Sequence, residues 1–299
     1  MTVSPFLPKQ LITRRHFLTT SAFLAAGAAV YSGEIERHWV EISHCEVTIA
    51  GLRSAFDGFR VVQLSDIHFE GFTEPFFLHE VINRVNDLNP DAVFITGDFV
   101  THSLVLDRAF KDAASRCAGI LSELNCKRRY ACLGNHDFLV GSEKVAASLA
   151  ASGITVLNNS YVPIEHGGGR FWLAGVEDPL EGHPDAQAAI PESIRELPNE
   201  PVVLLCHAPD YVDDLLRQPV GQSISLILSG HTHGGQIRFP FIPPLALPPL
   251  GQHYVEGWFR FGKLQLYVNR GIGSVGIPFR FNCPPEITLF TFRSEKSQA

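Results

Sequence analysis

Arg60-Val61-Val62-Gln63-Leu64-Ser65-Asp66-Ile67-His68 is a short apolar run that stops at two metal-binding side-chain types. The same arrangement recurs four times. Ala92-Val93-Phe94-Ile95-Thr96 leads into Gly97-Asp98, and Tyr130-Ala131-Cys132-Leu133 into Gly134-Asn135-His136-Asp137. Val202 to Cys206 leads into His207, and Ser225 to Ser229 into Gly230-His231-Thr232-His233-Gly234-Gly235-Gln236. Each run has the length and β-branched content of a buried strand, followed by a turn signal. Open α/β sheets gather their ligands at the carboxyl ends of strands, so five such units bring their polar ends to one rim. Glycine at 97, 134 and 230 lets the backbone turn sharply there.

The gathered groups are carboxylates, imidazoles and one amide, without a thiolate. That donor set suits Mn, Fe or Zn in a reactive site rather than a structural thiolate zinc. Asp66, His68, Asp98, Asn135, His207, His231 and His233 offer seven candidate ligands, more than one ion needs. Two divalent ions side by side, about 3.5–4 Å apart, use such a set and share a carboxylate. The amide oxygen of Asn135 is a weak neutral ligand, suited to a site whose charge is already balanced. Any one of these motifs alone is common; His207 by itself reads as a core or loop histidine. The histidines at 44, 79, 102, 166, 183 and 253 lack this context and read as surface or structural, with His102 lining the cleft.

DxH, GD, GNHD, a lone His and GHTH in this order resemble the calcineurin-like metallophosphoesterase superfamily over roughly residues 58 to 293. The resemblance implies an α/β (α+β) four-layer sandwich: two mixed β-sheets flanked by helices. It implies Asp66, His68, Asp98 and His233 around one metal, and Asp98, Asn135, His207 and His231 around the other, with Asp98 bridging. It makes His136 a catalytic, non-ligand histidine near the leaving group, oriented by Asp137. The chemistry implied is attack on phosphorus by a metal-activated water. Gly97-Asp98-Phe99-Val100-Thr101-His102 and GNHD depart from the GDxVDRG and GNHE of the protein phosphatases. GHTHGGQ and the tail Arg280-Phe281-Asn282-Cys283-Pro284-Pro285-Glu286 are similar instead to exported bacterial phosphodiesterases related to UDP-2,3-diacylglucosamine hydrolases. The expected substrate is a small phosphodiester or a nucleotide-lipid pyrophosphate. The alternative is a catalytically silent metal-binding module on the same scaffold, marked by lost ligands or a lost His136; none is missing. A metal hydrolase of another bond, such as an amide, is set aside by the resemblance alone.

Residues 1–33 read as an address, with the hydrolase domain at 34–299. Thr13-Arg14-Arg15-His16-Phe17-Leu18 precedes an alanine-rich apolar segment to Val30, similar to a twin-arginine (Tat) export signal. Expected partners are therefore the Tat machinery and an exported location: periplasm, cell wall or membrane. An uncleaved anchor is the other reading, although the apolar stretch is short of the ~20 residues of a comfortable span. Net charge is −7, from 24 Lys+Arg and 31 Asp+Glu. With no basic run, a phosphate-tracking nucleic-acid surface is disfavoured. The 299 residues suffice for one large core beyond the leader. Six cysteines show no CxxC spacing; Cys132 and Cys206 sit in strand-like runs as buried thiols, which leaves Cys117 with Cys126 as a close pair.

Elsewhere the pattern predicts edge strands at 39–42 and 46–49, and helices at 75–89 and 142–152. It also predicts a hairpin turning at 167–169, a second at 262–263, and a last strand at 287–292. One stretch stands apart: Phe239-Pro240-Phe241-Ile242-Pro243-Pro244-Leu245-Ala246-Leu247-Pro248-Pro249-Leu250. Proline rules out a regular element there. Directly after the GHTH turn, such a loop contacts acyl chains or a membrane surface, or else folds under the C-terminal hairpin.

Overall fold

The structure, a computed structural model, describes residues 13–102 and 112–295. Its frame is two six-stranded sheets. The first contains β1 (Glu41–Ile49), β2 (Arg60–Leu64), β3 (Ala92–Thr96), β4 (Arg129–Cys132), β5 (Thr155–Val156) and β12 (Glu286–Ser294), in the order β1-β12-β2-β3-β4-β5. All its pairings are parallel except β12 with β2. The second contains β6 (Ser160–His166), β7 (Gly169–Gly175), β8 (Val202–Leu205), β9 (Ile224–Ser229), β10 (Gly257–Phe261) and β11 (Leu264–Val268), in the order β10-β11-β9-β8-β7-β6. It is parallel in the middle and closed by an antiparallel hairpin at each edge.

Strand residues alternate between two cores because successive side chains leave a strand on opposite faces. Val61 and Phe94 join Leu205, Leu226, Leu228, Phe290 and Phe292 in the layer between the sheets. Their neighbours Val62, Val93 and Ile95 face α2 (Pro75–Leu88), α3 (Ala113–Leu121) and α4 (Asn135–Ala151) instead. On the far side, Val202, Leu204, Ile227 and Leu266 pack with residues of α5 (Glu192–Glu196) and α6 (Val212–Arg217). The result is the expected four-layer α/β sandwich. Runs such as β3, buried at every position, read as continuous apolar strands because both faces are covered.

The helix α2 follows its sequence signals: proline in the first turn, Phe77, Leu78, Val81, Ile82 and Val85 buried at helical spacing, and Asn89 ending it at φ 46°. The expected helix at 142–152 is the second part of α4, which starts earlier, at Asn135. Gly141, at φ 123°, kinks it and interrupts its apolar periodicity. The two short edge segments at 39–42 and 46–49 are one strand, β1, which does lie at an edge. Both hairpins form where expected. All six cysteines are free thiols, so the Cys117–Cys126 pair is not bridged.

α1 (Arg14–Val30) stands apart from these layers and buries no residue. None of the helices among the described residues is long and apolar enough to cross a membrane. The chain joins the body at Ser32 and Gly33, which are buried.

Candidate metal centre

All five strand-ending units reach one rim, and the two sheets contribute different halves of it. Asp66 and His68 follow β2, Asp98 follows β3, and Asn135 and His136 open α4 after β4. His207 follows β8; His231 and His233 follow β9. Gln63 binds the halves together from inside the sandwich. Its Nε2 donates to Thr96 Oγ1 at 3.0 Å in the first sheet and to the Ser229 carbonyl at 2.9 Å in the second.

The side-chain atoms converge. His68 Nε2 and His233 Nε2 are 3.0 Å apart, and His233 Nε2 is 3.4 Å from Asp66 Oδ1. His207 Nε2 lies 3.2 Å from Asp98 Oδ2 and 3.2 Å from His231 Nδ1. Asp98 Oδ2 is also 3.5 Å from His68 Nε2, so it stands between the two histidine clusters. Asp66-His68-His233 and Asp98-His207-His231 each meet the spacing of a metal-holding group, and a third such group is His68-Asp98-His136. Asp66, His68 and His207 are almost completely buried.

The residues fit metal ions on three observations. Asn135 Oδ1 is buried and has no hydrogen-bond partner, a costly state for an amide oxygen unless a cation faces it. Three of the four histidines spend their other ring nitrogen on an oxygen of the protein: His207 Nδ1 on the Thr96 carbonyl (2.6 Å), His231 Nε2 on the Pro249 carbonyl (2.8 Å), His68 Nδ1 on Thr101 Oγ1 (3.1 Å). Donating there fixes the tautomer and leaves the inward nitrogen as a lone pair, the arrangement metal-binding histidines use. Burial holds His68 and His233 well below the usual histidine range, and His231 down at about 4, so all three are neutral and able to ligate. For Asp98, burial opposes ionisation, but the neighbouring His207 and His68 outweigh it and hold the carboxyl well below its usual range.

His136 and Asp137 depart from expectation in one respect. Asp137 does not orient the His136 ring. Its carboxylate accepts from the backbone N–H groups of Phe99 (2.9 Å), Val100 (3.3 Å) and Gly134 (3.0 Å), the last being a third-position acid capping the start of α4. Burial and the charge of Asp98 push that carboxyl up to about 8. The His102 N–H instead donates to His136 Nδ1 at 3.0 Å. With Nδ1 accepting, the neutral ring carries its proton on Nε2.

Other contributors were not read from the sequence as site residues. Gln236, the last residue of GHTHGGQ, donates to the Val275 and Ile277 carbonyls and accepts from the Val275 N–H, pinning residues 275–277 beside the ligands. Arg280 is fully buried and donates to the carbonyls of Gly273, Cys283, Arg270 and Gly271, with Nη2 3.3 Å from His233 Nδ1. Both lie in motifs visible in the chain, but only long-range packing shows what they hold. Gly230 is required by close approach: a Cβ there would run into Ser65 Oγ and Asp66 Oδ2.

A cavity of about 580 Å³ opens over these groups. His68, Asp98, Asn135, His136, His231 and His233 form its polar floor; Leu245–Pro248 and 275–277 form an apolar wall. The proline-rich loop therefore does not fold under the hairpin. Its stem is fastened at the Pro249 carbonyl and by Pro244 against Gly235, while Phe241, Ile242 and Leu245 stand in solvent.

Residues 59–235 match the model of the calcineurin-like phosphoesterase family. The chain belongs to that family. It is 32% identical to the uncharacterized metallophosphoesterase YkuE of Bacillus subtilis, over 95% of this chain and 98% of that one. It is also 32% identical to the phosphodiesterase YaeI of Escherichia coli, over 93% and 98%. The UDP-2,3-diacylglucosamine pyrophosphatase LpxG of Chlamydia trachomatis is 26% identical over 87% of this chain and 91% of its own. The family and its hydrolase members identify a metal-dependent phosphoric ester hydrolase.

Proposed function

We propose that this protein is an exported hydrolase of phosphodiesters or pyrophosphates that holds two divalent ions, Asp98 shared between them. The unpartnered Oδ1 of Asn135, beside a convergent set of histidines and two carboxylates, carries the reading. Asp66, His68 and His233 would hold one ion; Asn135, His207 and His231 the other. When bound, such a pair neutralises phosphate charge and lowers the pKa of water toward neutrality. The chain's own residues do the rest. His136, protonated on Nε2 by virtue of the His102 N–H, donates to the leaving oxygen or to a phosphate oxygen. The apolar wall takes a hydrophobic substituent on the substrate and excludes water beside the reacting phosphorus. A phosphodiesterase and a lipid-linked pyrophosphatase among the relatives support that substrate range.

Metal analysis of purified protein should return two ions per chain. Asp98→Asn should remove both the second ion and activity on a panel of diesters, monoesters and nucleotide-lipid pyrophosphates, whereas Asn135→Ala retains part of each. A fully active Asp98→Asn protein with normal metal content would refute the shared ligand. A silent binding module predicts metal uptake with no turnover on any member of the panel.

Export through the Tat machinery is supported by the paired Arg14-Arg15 at the start of a helix free of acidic residues. Arg14→Lys with Arg15→Lys should leave folded, active enzyme in the cytoplasm; unchanged export would show a different route.

A further inference from the structure

The exposed part of the 239–250 loop and the root of α1 share one rim. Ser32 accepts from the Arg280 N–H at 3.1 Å, and Glu36 Oε1 accepts from the Cys283 N–H at 2.6 Å. Gly33 is packed so tightly on the Phe279 ring that a Cβ would lie 2.9 Å from it. The segment that receives these contacts also receives the loop. The Arg238 N–H donates to the Phe281 carbonyl at 2.8 Å, and the Phe239 and Phe281 rings are 5.5 Å apart. Ile277, just upstream, lines the same cavity as Leu245 and is 47% exposed. One short segment thus carries the foot of α1, the stem of the loop and the lip of the cavity.

Much of what this rim exposes is apolar. Residues 239–250 contain no charged side chain, and Phe241 and Ile242 are 105% and 55% exposed. α1 has none from Phe17 to Val30; its apolar residues are spread around its circumference and none is buried. A helix that docks on a protein presents one apolar stripe, whereas one apolar on all sides is matched to lipid. Seventeen residues at about 1.5 Å each make roughly 25 Å, enough to enter a bilayer but short of a comfortable span.

We propose that this rim is a docking face for a lipid bilayer: α1 and the 239–250 loop insert side by side, and the mouth of the metal-site cavity faces the lipid. Adsorption is driven by apolar contact. The net charge of −7 disfavours attraction to anionic headgroups, and Arg238 on the loop stem is already paired with Glu256. The orientation does not depend on the hydrolytic reading, but it places the apolar wall where an acyl group leaving a membrane would meet it.

Sedimentation of the full chain with phosphatidylcholine vesicles tests this. Binding should persist in neutral vesicles at both low and high salt. Phe241→Ser with Ile242→Ser should lower the vesicle-bound fraction at least roughly tenfold, given the apolar area withdrawn from lipid. Phe17→Ser with Phe23→Ser should weaken it independently. The loop variant touches neither ligands nor cavity lining, so hydrolysis of the soluble diester bis(4-nitrophenyl) phosphate should be unchanged, which also reports that it is folded. Binding that survives the loop substitutions, or that high salt abolishes, would overturn the proposal. So would a lipid-free dimer, seen by sedimentation velocity, that the loop substitutions dissociate. Lipid binding that behaves as expected in a protein with no diesterase activity would leave the docking face standing and remove the hydrolytic reading.

Discussion

Asp66, His68, Asp98, His231 and His233 all have φ between 48° and 71°, a region that costs a non-glycine residue about 1–3 kcal/mol. Hydrogen bonds hold them there: Asp66 N–H to the Gly97 carbonyl, His68 N–H to the Asp98 carbonyl, His231 N–H to both oxygens of Asp66. The backbone turns as soon as each strand ends, and the side chain is thrown over the sheet edge. His136 sits outside this group, with ordinary helical geometry at the start of α4, which sets the proposed donor to the substrate apart from the candidate ligands. His136→Ala should therefore keep its metal and lose turnover by roughly 10²–10⁴-fold, with a smaller deficit on substrates that have good leaving groups. Metal analysis with leaving-group-dependent kinetics checks it, and metal loss would make His136 a ligand. At this scale the chain was legible wherever a polar residue followed an apolar run. It was opaque where a side chain answers to a distant backbone group. Asp137 is adjacent to His136 in sequence yet serves the turns at Phe99 and Gly134, and His102 takes the orienting role through an N–H that no side-chain pattern announces.

Among the elements, the 275–277 segment has no regular structure, and its place depends on Gln236. Three hydrogen bonds from one amide hold it against the candidate ligand turn, and Ile277 then lines the same cavity as Leu245. Gln236→Ala should loosen this wall while sparing the floor. KM should rise by about tenfold for a diester bearing an acyl or aryl group, the effect of losing one well-packed apolar contact, with little change for a small polar diester. Steady-state kinetics on the matched pair decides it; equal damage to both substrates would mean that the segment supports the ligands themselves. The strands of the rim were readable because a covered strand is a short apolar run with a stop signal. The assignment of each strand to a sheet was not, since Val61 and Val62 are equally apolar and only the fold decides which meets a helix and which meets Leu228. α4 was half-read because Gly141 breaks its period, and the short α5 and α6 lack enough turns to show one.

Across the whole molecule, the proposed ions join the sheets. The first sheet brings Asp66, His68, Asp98 and Asn135; the second brings His207, His231 and His233. Without cations, buried groups such as Asn135 Oδ1 stay unsatisfied at that seam, which Gln63 crosses with hydrogen bonds to both sheets. Ions that bind only the folded state contribute about 4 kcal/mol when present at a thousand times their Kd. Chelation should then lower Tm by roughly 10 °C for a domain of this size, reversibly on adding metal back. Calorimetry of chelated and reconstituted protein measures this, and an unchanged Tm would show that the seam does not rely on ions. The four layers could be anticipated from the resemblance, but not the path of the chain through them: nothing local in Glu286–Ser294 says that it enters between β1 and β2.

That insertion has a consequence for biosynthesis. β1 touches the first sheet only through β12, in parallel register from Glu41–Glu286 to Ser294–Ile49, and β2 lacks its outer neighbour until β12 arrives. On the ribosome, every candidate ligand from Asp66 to His233 is translated before β12, the strand that completes the first sheet. A nascent chain therefore carries an open β2 edge and an orphan β1 until β12 is made, and such an edge is a template for mispairing. The sandwich can close only once β12 has been made, so the candidate metal centre is completed by a strand that follows all of its ligands in the chain.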